Sequence, residues 1–271
     1  MDEKKVALIS DVYDILPSKP GKNAKRDAEY GLYISRETMA NWFDGCYDLY
    51  IYDLNQLIQK DFSKQKYVML DENTHNIVKN KKKRSTCYEL VGMSGRNEPK
   101  QIALYKFSRD RSCSIVSSMV GDHFQDVIQF DGYQAYHTYG ENHEGVSNIG
   151  CWARVQVKIK EGLTTDTAYN QIKKLDSKEK QKASLEGNPN LIEFIEIKEL
   201  IEGMFSIEKT LAKQEADFDE IYKMRQEKSK PIMEAIFRRA EQLKSVFPKK
   251  NKKSVALTYL LNQREYLEGI L

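Results

Sequence analysis

Apolar residues recur at three- and four-residue steps at both ends of this chain, while short apolar runs that stop abruptly fill its middle. In the first 65 residues, "VALISDVYDILP" has helical spacing and stops at Pro17. "SKPGKNAKRDAEYG" is polar and basic and reads as a linker or turn followed by a short helix. "ISRETMANWFDGCYDLYIYDLNQLIQK" then sets Ile34, Met39, Trp42, Phe43, Leu49 and Leu54 in a largely helical pattern, with Ser35 as N-cap. A short helix, a Gly-containing turn and a capped helix are the parts of a helix-turn-helix; plain helical packing is the simpler reading of the same spacing.

From residue 66 the period changes. "KYVML" predicts a short strand ending at Asp71, and "STCYELVGMSG" and "QIALYKFSRD" predict a hairpin turning in "SGRNEPK". "SCSIVSSMVGD" predicts a short helix with Gly121 near its end, and "DVIQF" another strand, ending at Asp131. "SNIGCWARVQVKI" begins as a strand and reads either way after Trp152. This order implies an α/β domain with a mixed sheet. Beyond residue 160, "NLIEFIEIKELIEGMFSIEKTLA" and "SKPIMEAIFRRAEQLKSVFP" repeat apolar residues at helical steps, with Pro231 in a first turn. Three segments follow: a helical 1–65, an α/β 66–160 and a helical 161–271.

Composition narrows the function. With 271 residues, 40% hydrophobic and 31% charged, the chain is globular. Its net charge of +3 requires any nucleic-acid-binding charge to be local. Two basic runs meet that requirement, "KNKKKR" at 79–84 and "PKKNKK" at 248–253, and Lys81, Lys82, Lys83 and Arg84 are the candidate phosphate contacts; a solvated loop is the plain alternative. No apolar run reaches the roughly 20 residues a bilayer demands, so no membrane is expected. The N-terminus lacks the long apolar stretch of a signal peptide. Cys46, Cys87, Cys113 and Cys151 form no CxxC pair, which argues for reduced thiols in a cytoplasmic protein and against zinc. The spacings of His75, His123, His137 and His143 are equally irregular.

The two strand-ending aspartates carry the candidate chemistry. Carboxylates on adjacent strands suit a hard cation, Mg2+ or Mn2+. A pair of such ions can activate an attacking hydroxyl and stabilise the leaving oxygen of a phosphodiester. The plain alternative is that Asp is common where strands become loops. Tyr133, Tyr136 and Tyr139 stand beside Asp131 either as stacking surfaces for bases or as one packed helix face. Glu72 reads either as a support for the metal ligands or as a solvated loop carboxylate. Trp152 reads as a core or inter-domain anchor or as a base-stacking residue.

"FDGYQAY", then "GCWAR", with "LDENTH" upstream, resembles the transposases of the insertion sequence 66 family. "YGLYISRETMANWF" looks like that family's segment before the catalytic domain; "MFSIEKTLA", "MRQEKSKPIMEAI" and "KSVALTYLLNQREYL" resemble its helical insertion. The resemblance implies a ribonuclease H-like mixed sheet with an N-terminal helical segment and a C-terminal helical insertion region. It implies Asp71 and Asp131 as the first two members of a metal-binding acidic triad, and magnesium as the expected ion. It also implies cleavage and strand transfer of DNA, with element ends and target as partners, and a homo-oligomer. The sequence departs from the family twice. The family's catalytic glutamate follows the segment matching "LLNQREYL", and the chain stops at Leu271 before it; Glu265 and Glu268 precede that place. After Cys-Trp-Ala the family has His and a basic run, where this chain has Arg154 and "VQVKI", which puts Arg154 as a DNA contact in question. The expectation is a transposase region with impaired catalysis, or else a non-catalytic DNA-binding or oligomerising remnant that modulates an intact transposase.

Overall fold

The structure, a computed structural model, describes residues 36–271 apart from positions 81, 82, 111, 113 and 133. The first helix and turn of the expected helix-turn-helix, and the Ser35 cap, fall outside the described residues. The chain divides into two compact units, Met1–Asn148 and Ile149–Leu271.

In the first unit, α1 (Arg36–Cys46) runs through a π-helical turn (Tyr47–Ile51) into α2 (Tyr52–Phe62). The strands are β1 (Tyr67–Asn80), β2 (Lys83–Ser94), β3 (Ala103–Ser108), β4 (Val127–Phe130) and β5 (Ser147–Gly150). Helices α3 (Ser114–Val120) and α4 (Gln134–Asn142) flank β4. The five strands make one mixed sheet in the order β3-β2-β1-β4-β5. β1 is antiparallel to β2 and parallel to β4, and β2 is antiparallel to β3, as the hairpin pattern predicts.

Alternation along the strands decides which face is buried. Val68 and Leu70 of β1, Leu90 of β2, Leu104 of β3, and Ile128 and Phe130 of β4 turn inward. They meet Phe62 of α2, Ile115, Val116, Met119 and Val120 of α3, and Tyr136 and Tyr139 of α4. The opposite face carries Tyr67, Met69 and Asp71 of β1, beside Val127 and Gln129 of β4.

One strand is longer than its pattern predicts. β1 does not end at Asp71 but continues to Asn80, paired with β2 along its whole length. β4 accompanies β1 only as far as Met69, and β3 accompanies β2 only from Tyr88 onward. Residues 75–80 with 83–87 therefore form a two-stranded ribbon, with no further strand beside it among the described residues.

The second unit is helical: α5 (Trp152–Thr164), α6 (Thr167–Lys173), α7 (Lys178–Glu186), α8 (Pro189–Lys213) and α9 (Phe218–Met224). A π-helical turn (Arg225–Ser229) leads into α10 (Lys230–Leu243), then come α11 (Lys252–Asn262) and α12 (Arg264–Glu268). The segment left open after Trp152 is thus a helix. Trp152 is a core residue of this unit, and its indole N–H donates to the Leu267 carbonyl at 3.0 Å. Caps fix several helix starts: Asp166 accepts from Tyr169 N, and Asp217 and Glu220 form a reciprocal capping box.

Candidate metal and nucleic-acid site

The paired residues of β1 and β4 advance in step: Tyr67 with Val127, Val68 with Ile128, Met69 with Gln129. Two positions further in the same register stand Asp71 and Asp131. Parallel neighbours lie about 4.8 Å apart, so both carboxylates leave the sheet just past the last parallel rung. Alternation puts Asp71 on the face opposite Val68 and Leu70, and Asp131 follows directly on Phe130, the last residue of β4. On the face opposite the core the Tyr67 hydroxyl donates to the Gln129 side-chain oxygen Oε1, tying β1 to β4 ahead of the aspartates. Asp71 is exposed and Asp131 half-buried. Gly132 follows with φ +84°, a left-handed conformation that glycine adopts freely and that lets the chain leave β4 sharply toward α4.

The other residues singled out in the sequence fall as follows. Tyr136 and Tyr139 are fully buried, so they pack as a helix face and offer no ring to a base; Tyr133 lies outside the described residues. Glu72 is not a loop carboxylate: it sits in β1 on the core side, half-buried, and accepts a hydrogen bond from the Tyr136 hydroxyl. His75 lies along the aspartate-bearing face and pairs with Glu89 at 3.0 Å. His137 is buried against Phe130, and His143 stacks on Tyr139 with ring centres 4.0 Å apart. Among the described residues no three His, Cys, Asp or Glu side chains group closely enough to hold a metal ion. Lys83 and Arg84 open β2 at the far end of the ribbon; Lys81 and Lys82, between the two strands, are outside the described residues. Arg154 is exposed on α5.

A family model described as Transposase IS66 family matches residues 22–271. The chain belongs to that family of transposases. No curated protein and no solved structure matches it. Membership gives this transposase a transposition-related function with DNA as partner. No described helix of it is long and apolar enough to cross a membrane. The aspartates were legible in the sequence because each follows an apolar run. The Glu72–Tyr136 contact was not, since its partners lie 64 residues apart.

Proposed function

We propose that this chain is a DNA-cleaving and strand-transferring region built on a ribonuclease H-like sheet, with Asp71 and Asp131 as its first two metal ligands. The observation that supports the reading is the β1–β4 register, whose last pair, Met69 with Gln129, stands two residues before each aspartate. The strand order β3-β2-β1-β4-β5, with three antiparallel strands leading into a parallel pair, supports the sheet assignment.

The donor set suits a hard cation. Mg2+ and Mn2+ take carboxylate oxygens and retain several waters, so one or two carboxylates plus substrate phosphate is an ordinary shell. A bound ion would supply Lewis-acid stabilisation of charge developing on the phosphate. The protein's own part is to hold two carboxylates on backbone fixed by a ladder and to keep them open to solvent, where a phosphodiester can reach them. The ribbon offers a second contact. It runs nine residues past Asp71, roughly 30 Å at strand rise, toward Lys81, Lys82, Lys83 and Arg84. These cations and Arg154 would neutralise DNA phosphates without reading bases. A homo-oligomer completes the reading.

Cleavage and joining of DNA carrying the element's end, in Mg2+, tests it. Asp71→Asn and Asp131→Asn should each abolish both steps while leaving DNA binding intact; cleavage unchanged by either substitution excludes these residues. A second reading, a DNA-binding or oligomerising protein without catalysis, is favoured by the lack of a three-ligand group among the described residues. It predicts a mobility shift that persists in EDTA and no nicking in Mg2+.

A further inference from the structure

Tyr136 stands between the two aspartates' segments and touches both. Its ring packs edge-on against Phe130, centroids 5.6 Å apart, and Phe130 is the residue before Asp131. Its hydroxyl donates to the carboxylate of Glu72, the residue after Asp71. The Glu72 backbone N–H in turn donates to Asp71 Oδ1 at 2.8 Å. One continuous path of contacts therefore runs from the Asp71 carboxylate through Glu72 and Tyr136 to the backbone that presents Asp131.

A buried tyrosine hydroxyl needs an acceptor, and a backbone carbonyl is enough. One helical turn later, Tyr139 does just that, donating to the Gly121 carbonyl at 2.7 Å. Tyr136 instead uses a side-chain carboxylate on the core side of β1. A half-buried carboxylate at that place is costly unless it accepts hydrogen bonds. The two groups thus satisfy each other just beyond the last paired residues of β1 and β4.

We propose that Tyr136 and Glu72 form a brace that sets the spacing of Asp71 and Asp131, acting as positioning residues for the metal site. This rests on the reading of those aspartates as metal ligands. Outer groups that orient ligands typically change metal affinity by 10–100-fold when removed.

The test is Mn2+ affinity of the full chain, measured by electron paramagnetic resonance titration, beside thermal melting. Tyr136→Phe removes only the hydroxyl and should weaken Mn2+ binding about tenfold. Glu72→Ala should weaken it similarly, and Glu72→Gln, whose amide oxygen still accepts the hydroxyl, should restore most of it. The Tyr136→Phe, Glu72→Ala pair should be no worse than the worse single change, because both remove one contact. A Tyr136→Phe protein that melts lower but binds Mn2+ like the parent would reduce the residue to core packing and overturn the brace. Equal loss in Glu72→Gln and Glu72→Ala would assign the effect to charge and also overturn it. If Tyr136→Phe does not fold, the two Glu72 variants decide alone. Asp131→Asn separates the layers: if it binds Mn2+ normally, the metal-site reading falls and takes the brace with it. If it abolishes binding while the brace variants do not weaken it, only the brace falls.

Discussion

Single residues set the conditions for the candidate site. Gly132 takes its left-handed conformation immediately after Asp131, where any side chain is strained. Gly132→Ala should cost about 1 kcal/mol of stability, read by urea denaturation, and should lower DNA cleavage by moving the neighbouring carboxylate. In the second unit, Asp166 and Lys253 form a pair that is largely buried on both sides, with the Lys253 ammonium also over the Phe247 ring at 4.6 Å. Burial alone would raise the Asp166 carboxyl. The Lys253 hydrogen bond, the Tyr169 N–H and the ammonium's charge outweigh it and hold the carboxyl below its ordinary 3.8. A carboxyl with a lowered folded value stabilises the fold above its unfolded value and loses that contribution as pH falls through the folded one. Lys253→Met leaves a buried carboxylate unpaired and should cost about 3 kcal/mol at neutral pH. The gap from the parent should narrow as pH falls and the variant's carboxyl takes up a proton; a gap that is constant down to pH 2 would show that the pair carries no such linkage.

At the level of secondary structure, the β1–β2 ribbon makes the sharpest prediction. Replacing Lys81, Lys82, Lys83 and Arg84 with Ala should weaken DNA binding evenly across sequences. If all four contact phosphates, the slope of log affinity against log salt should fall by about 3.6, at 0.9 per contact. An unchanged slope would mean the tip does not touch DNA. The ribbon also explains what the sequence concealed. The β2–β3 hairpin and β4 were legible because one face of each is buried and their residues alternate or cluster accordingly. "DENTHN" carries no such alternation: it holds no apolar residue, and all of it but the half-buried Glu72 is exposed, so nothing marks its period. β1 therefore read as ending at Asp71, when it is only the β4 pairing that ends nearby, at Met69. The short strand β5 hands over to α5 across Cys151, too few residues for either period to establish itself.

For the molecule as a whole, family membership and the sheet's connectivity point the same way. The helical second unit was readable from its three- and four-residue apolar steps, which supply a core running from Trp152 to Leu267. In the first unit α2, α3 and α4 pack on the face of the sheet opposite Asp71. Net charge is too small to bind DNA by bulk attraction, so affinity has to be concentrated in places such as the ribbon's end. What the sequence could not supply was the register, which depends on strands that lie 60 residues apart and meet only on folding. The central claim is that Asp71 and Asp131 jointly hold one cation. Calorimetric titration of the purified chain with Mg2+ tests it most directly. The account predicts a binding isotherm for the parent that vanishes in both Asp71→Asn and Asp131→Asn; an isotherm that survives either substitution unchanged would contradict it.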